Sequence, residues 1–228
     1  MPSERLRLAV FAEPVGELAA FIEACKARVR RDFPDAVYLN HPPHTTLFVA
    51  DVDNPATAAA KITQSWASRS PRPSDGSRAE DFPAIPRPVM AAHRWHVFAR
   101  DTLAADGDTL VIKLTPDPAW WAWQLRIAET FRRARIGLTT APAPFSGGPL
   151  RESWERYGWP FVGAHWLPHA TIASLPAQPA SRARQIIEEL CRLAPPDGGA
   201  IVTTLALVAV RGDRHEAIGQ LDLKEYRF

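Results

Sequence analysis

The chain has 228 residues, of which 46% are hydrophobic and 23% are charged, and its formal net charge is +2 at pH 7. This composition predicts a soluble globular protein large enough to bury a sizeable core, and it excludes an intrinsically disordered chain. The small positive charge permits an anionic substrate but is not typical of a protein with a strongly basic nucleic-acid-binding surface.

The sequence also limits where the protein works. No apolar run is long enough to span a bilayer, and the first residues do not resemble a secretory signal. The two cysteines, Cys25 and Cys191, fall in predicted helices and suit reduced, buried positions better than a disulfide. We therefore expect a cytoplasmic protein, a monomer with no membrane partner.

Hydrophobic periodicity predicts the following elements in chain order. The first half contains a strand, a helix, a second strand, a second helix and a strand pair, at residues 6–12, 14–31, 43–52, 56–66, 93–100 and 109–115. The second half contains a helix, a strand, a helix and a closing hairpin, at residues 117–135, 166–175, 180–193, 201–210 and 217–223. Long connections are predicted at residues 68–88, a proline-rich polar loop, and at 139–160.

This order reads as a duplicated unit of strands and helices. We expect an α+β fold made of mixed or antiparallel sheets, with helices on the outer faces and a central cleft. Residues 1–228 would then form a single domain of two pseudo-repeated lobes, whose boundary the sequence does not fix.

A five-residue pattern, Pro-His-x-Thr-aliphatic, occurs once in each half. The first motif is Pro43-His44-Thr45-Thr46-Leu47 and the second is Pro168-His169-Ala170-Thr171-Ile172. Each begins a predicted strand, and side chains two residues apart on a strand point to the same face. Each motif should therefore present an imidazole beside a hydroxyl. Two such pairs brought together would enclose an anion such as a phosphodiester.

These motifs resemble those of the 2H phosphoesterase superfamily, which carries one His-x-Thr/Ser-x-hydrophobic motif in each lobe. The resemblance is closest to the branch of 2′-5′ RNA ligase-like proteins and RNA 2′,3′-cyclic phosphodiesterases. It implies a metal-independent phosphodiesterase that acts on 2′,3′-cyclic phosphate or 2′-5′ linked ends of RNA or small nucleotides. The chain departs from the RNA-processing members in lacking a tyrosine near the turn of its final hairpin.

His44 and His169 are the candidate general acid and base, because histidine exchanges protons near neutral pH. Thr46 and Thr171 would donate hydrogen bonds to the phosphate oxygens as negative charge develops. The residues do not decide which histidine is the acid. The sequence is also compatible with a different class of function: a catalytically silent protein that binds a phosphorylated RNA or nucleotide end in the same cleft.

Two further interpretations concern ligands. The pairs His41/His44 and His93/His96 have spacings found among metal ligands, but residues three apart on a strand face opposite ways. We therefore expect no metal and no cofactor, and we place His93, His96 and His215 at surfaces or sheet edges. Trp166, three residues before His169, is a candidate for stacking on a nucleobase.

Overall fold

The strands and helices follow the predicted order, with one additional helix. The computed structural model describes residues 6–52, 55–67, 89–101, 104, 106–132, 147–176, 178, 181–197, 200–211 and 214–223. Its strands are β1 (Leu6–Val15), β2 (Thr45–Val52), β3 (Val89–Asp101), β4 (Gly107–Pro116), β5 (His169–Leu175), β6 (Ala200–Arg211) and β7 (Arg214–Asp222). Its helices are α1 (Glu17–Asp32), α2 (Pro55–Ala67), α3 (Ala119–Arg132), α4 (Gly148–Tyr157) and α5 (Arg182–Cys191). The predicted loop 68–88 lies outside the described residues.

The strands form one seven-stranded sheet in the order β1-β2-β5-β4-β3-β6-β7, with β1 also paired to β6. Two groups of strands, β2-β1-β6-β7 and β3-β4-β5, are each joined by long ladders. Among the described residues, the strand pairings that link the two groups are short: one residue pair between β2 and β5, and two between β3 and β6. All these pairings are antiparallel, which confirms the α+β class with antiparallel sheets and leaves no parallel pair among the described strands. The division into two pseudo-repeated lobes stays a prediction.

Strand β1 is apolar on both faces, and this explains its central place in the sheet. Leu8, Val10 and Ala12 belong to the main core, which the helices cover. Ala9 and Phe11 point the other way, into a second and smaller apolar cluster with side chains of β2 and β6. Because neighbouring strand residues alternate between faces, the second cluster lies on the face opposite the main core.

Three local predictions need correction. The first helix begins at Glu17, not Pro14, because β1 continues to Val15 and ends at Gly16, whose φ of 75° suits glycine. The predicted connection 139–160 contains α4, which has a proline in its first turn and a left-handed glycine, Gly158, after its last residue. Cys25 is buried as expected, but Cys191, the last residue of α5, is exposed at the edge of that helix's buried stripe.

None of the helices among the described residues is long and apolar enough to cross a membrane.

Candidate active site

The two motifs meet where the two groups of strands touch. Strands β2 and β5 run antiparallel and are paired at Thr45 and Ala170, which are 2% and 0% exposed. Because this pair faces the core, the residues on either side of it face the opposite way. The register places His44 across from Thr171 and Thr46 across from His169. The four predicted site residues thus share one face of the sheet, and all of them line a single cavity of about 650 Å³.

Each motif histidine is held by the same hydrogen bond. The Nδ1–H of His44 donates to the carbonyl oxygen of Pro42 at 2.8 Å, and that of His169 to the carbonyl of Leu167 at 2.5 Å. A carbonyl only accepts, so Nδ1 carries the proton in both rings. Nε2 is therefore the nitrogen that each ring uses to exchange protons in the cavity.

The surroundings of the two rings differ in charge. Burial is the largest cause lowering the pKa of His44, and the positive charges of His215, His41 and Lys26 lower it further, against the opposing effect of the Pro42 carbonyl. Burial also lowers the pKa of His169. There the Leu167 carbonyl and the Asp101 carboxylate oppose the shift, while His96 and Lys113 add to it. A phosphate bound between the rings would oppose both shifts, because it stabilises the protonated form of an imidazole.

Trp166 lies mainly in the core. It is 2% exposed, its indole N–H donates to the carbonyl of Thr46 at 2.9 Å, and its ring packs edge-on against Trp121 at 5.1 Å. The side chain also reaches the cavity wall. These contacts support a packing role that ties the approach to the second motif to the strand of the first. The stacking of a nucleobase on Trp166 stays a prediction.

A buried amide, Gln124 of α3, ties the same two segments together. Its Nε2 donates to the carbonyls of Leu47 at 2.9 Å and Phe161 at 3.0 Å, and its Oε1 accepts from the backbone N–H of Gly163 at 2.8 Å. Gln124 is 0% exposed. Gln124 shares the buried face of α3 with Trp120, Ile127 and Phe131, and a single amide at such a position in the sequence is a signal for a side chain that holds neighbouring backbone. Its partners could not be predicted, because they come from two distant segments.

Two histidines outside the motifs also line the cavity. His41 lies in the loop before the first motif and His215 at the start of β7, and their ring centroids are 3.7 Å apart. His215 does lie on an edge strand, as expected, but its side chain is half-buried against Phe11 at 5.1 Å. Phe11 also stacks on His44 at 3.8 Å. Sequence reasoning missed this pair because strand and loop come together only in the folded sheet.

The cavity wall beside the second motif has a different character. The ring of Phe98 packs edge-on against His169 at 5.3 Å. Asp101, also on β3, accepts a hydrogen bond from the hydroxyl of Thr109 at 2.8 Å. Both of these β3 residues line the cavity. The carboxylate of Asp101 is thus fixed on the His169 side.

Metal ligation was the alternative raised by the two histidine spacings. His41 and His44 have ring centroids 6.2 Å apart. Within the part of the chain that the structure describes, no three side chains of His, Cys, Asp or Glu are placed to share an ion.

Comparison with known proteins gives a family match over most of the chain. The family model described as the 2′-5′ RNA ligase superfamily matches residues 14–214. Among curated proteins there is no match.

Several solved structures resemble the chain at low sequence identity. Escherichia coli LigT, solved as a complex with 3′-AMP, is 16% identical with a TM-score of 0.43, and Kluyveromyces marxianus Usb1 is 14% identical with a TM-score of 0.43. Each comparison covers 97% of this chain and 99% of the other. A conserved protein of unknown function from Agrobacterium tumefaciens is 14% identical with a TM-score of 0.45, covering 96% of this chain and 90% of the other.

Proposed function

Because the chain belongs to the 2′-5′ RNA ligase superfamily, we propose that it is a phosphodiesterase that opens 2′,3′-cyclic phosphates or cleaves 2′-5′ linkages at RNA or nucleotide ends. The observation that carries this proposal is the meeting of both motifs on one wall of the cavity, with each histidine held through Nδ1. The two groups of strands would be the two lobes of a single domain, with the substrate bound between them.

The reaction proposed for a cyclic phosphate needs two proton transfers. The Nε2 of one histidine takes a proton from water, whose oxygen attacks phosphorus. The bond from phosphorus to one ribose oxygen breaks, and that oxygen receives a proton from the Nε2 of the other histidine. The products are a phosphate monoester and a free ribose hydroxyl. Thr46 and Thr171 lie across from His169 and His44 in the strand register, where their hydroxyls would donate to the non-bridging oxygens.

A substrate screen tests the proposal directly. Purified protein is incubated with nucleoside 2′,3′-cyclic phosphates, 2′-5′ linked dinucleotides and RNA oligonucleotides ending in a cyclic phosphate, and products are separated by chromatography. Turnover of at least one class, lost in the double variant His44→Ala/His169→Ala, is the expected result. Binding of these ligands without turnover would instead establish the silent end-binding protein.

Turnover should survive the removal of metal ions. The proposed proton transfers use only imidazoles, so treatment with a chelator and dialysis should leave kcat unchanged. The measurement is the turnover of the best substrate before and after treatment, with total metal content determined on the same sample. Activity that disappears and returns on adding zinc would overturn the metal-independent mechanism.

Loss of either motif hydroxyl should weaken catalysis moderately. Thr46→Val or Thr171→Val removes one hydrogen bond to a charged oxygen, and we expect kcat/KM to fall roughly 10- to 100-fold. The proton transfers remain, so the loss should be smaller than that from a histidine change. Thr46→Ser and Thr171→Ser are the matched controls, because they keep the hydroxyl. A valine variant as active as its serine control would remove that threonine from the mechanism.

A further inference from the structure

The proposed reaction uses two of the four histidines that line the cavity, and the other two form a close pair on one side. His41 and His215 have ring centroids 3.7 Å apart. The centroid of His44 is 5.8 Å from that of His215 and 6.2 Å from that of His41. The pair is therefore near enough to His44 to touch a ligand that His44 also touches, yet it belongs to neither motif.

The loop that carries His41 is fixed by a buried lysine. Lys26 of α1 is 1% exposed, and its ammonium donates to the carbonyl of Tyr38 at 3.0 Å and to the carbonyl of His41. Burial lowers the pKa of Lys26 to about 8, an effect that Glu23 opposes and Arg30 reinforces. Its ammonium form remains accessible at neutral pH and adds positive charge behind the histidine pair.

Unlike Lys26, which lies behind the loop, the cation Arg7 lines the cavity itself. Arg7 of β1 contributes to the wall, and its guanidinium forms a half-exposed ion pair with Asp51 at 3.0 Å. The row of paired residues Asp51, Arg7, Val210 and His215 crosses β2, β1, β6 and β7. This row of neighbouring residues connects the Arg7–Asp51 ion pair to His215.

The charges near the second motif are of both signs. Burial lowers the pKa of His169, and there the carboxylate of Asp101 opposes the shift while His96 and Lys113 add to it. The charges that act on His44, from His215, His41 and Lys26, are all positive. Asp35 is a further carboxylate in the cavity wall. The cavity is thus electrostatically uneven, with its imidazole-rich side beside the first motif.

Two imidazoles packed this closely repel one another when both are protonated, and a phosphate placed against them removes that penalty. The catalytic phosphate is already accounted for by the two motifs. An additional pair of imidazoles backed by an ammonium group suits a second phosphate, since charge-assisted hydrogen bonds to phosphate are strong.

We propose that His41 and His215 form a second phosphate-binding subsite, which holds the phosphate group next to the scissile one in a nucleotide or RNA end. This inference rests on the proposed function and specifies it: preferred substrates carry at least two phosphate groups. The second group is either a 5′-phosphate or the internucleotide phosphodiester of an RNA strand. Phe11, which packs against His44 and His215, forms an apolar floor between the two subsites.

Binding of product-like nucleotides tests the subsite without requiring turnover. Calorimetry compares cytidine 3′-monophosphate with cytidine 3′,5′-bisphosphate and with a dinucleotide that carries one internucleotide phosphate and a 3′-phosphate. We expect at least one two-phosphate ligand to bind roughly 10- to 100-fold more tightly than the monophosphate. Which one does so identifies the source of the second phosphate. Equal affinity of the wild-type protein for all three ligands would overturn the proposal.

His41→Gln and His215→Gln remove the charge and keep a polar side chain. The preference is the ratio of the affinity for the two-phosphate ligand to the affinity for the monophosphate. Each variant should reduce this ratio to less than half its wild-type value. His93 is an exposed residue of β3 outside the cavity, and His93→Gln should leave the ratio unchanged. Variants that melt like the wild type yet keep the full preference would also overturn the proposal. The proposed function fails separately, if a protein that shows the binding preference turns over neither a cyclic phosphate nor a 2′-5′ linkage.

Discussion

Replacing His44 or His169 with alanine should lower turnover by roughly 10²–10⁴-fold, because each change removes one of two proton transfers. The double variant should lose much less than the product of the two single losses, since the residues act as a unit. Turnover and thermal melting are measured on the same proteins. Both side chains lie at a cavity wall and are only partly buried, so we expect the melting temperatures to change little.

The control for these variants is His93→Ala, which removes an exposed imidazole outside the cavity. It should keep wild-type turnover.

The pH dependence of kcat/KM adds a second readout. Burial lowers the pKa of both motif histidines, so the rising limb of kcat/KM should lie below about pH 6.5. The limbs belong to the coupled pair, and loss of one histidine should remove one limb. If a histidine variant keeps wild-type turnover, or is inactive only because it unfolds, that histidine does not take part in the proton transfers.

Replacing Gln124 with leucine should destabilise the protein strongly. The change leaves the carbonyls of Leu47 and Phe161 and the N–H of Gly163 without their buried partner. We expect the free energy of unfolding to fall by about 3 kcal/mol. In a chain of this length that corresponds to a melting temperature roughly 6–12 °C lower. Calorimetry or circular dichroism measures the shift.

The same substitution at an exposed helical position, Gln185→Leu in α5, is the matched control and should change stability little. Gln124→Glu should destabilise at least as much as leucine, because it buries a carboxylate against the carbonyl oxygens of Leu47 and Phe161. If Gln124 also positions the second motif, kcat should decrease across the variants in the same rank order as their stability. Each kcat is measured at a temperature well below the melting temperature of that variant. If Gln124→Leu and the wild-type protein have equal free energies of unfolding, water has replaced the amide as the partner of these backbone groups.

The motif histidines and threonines could be identified from sequence because each lies in a short pattern on one strand. Period-two alternation predicts that His44 and Thr46 share a face, and both side chains line the cavity. Their alignment across the sheet could not be predicted, since it depends on the single pairing of Thr45 with Ala170. The role of each residue in catalysis remains a prediction.

What sequence reasoning missed depends on long-range contacts. His215 approaches His41 only because β7 lies beside β6 and the loop after α1 is held by Lys26. Helix α4 was missed for a different reason: aromatic and glycine residues around it favoured a loop. Its proline near the start and glycine after the end were available signals.

The pairing of β1 with β6 has a consequence for how the chain folds. Arg7 pairs with Val210 and Val15 with Ile201, so the central strand of one group gains a neighbour from the far end of the sequence. Contacts this distant along the chain must overcome a large loop-closure entropy, and they slow folding. During synthesis β1 can meet β2 early, but its other edge waits until residues 200–211 have left the ribosome. Throughout that interval an apolar strand edge is exposed, and a chaperone that covers it would protect the nascent chain from aggregation.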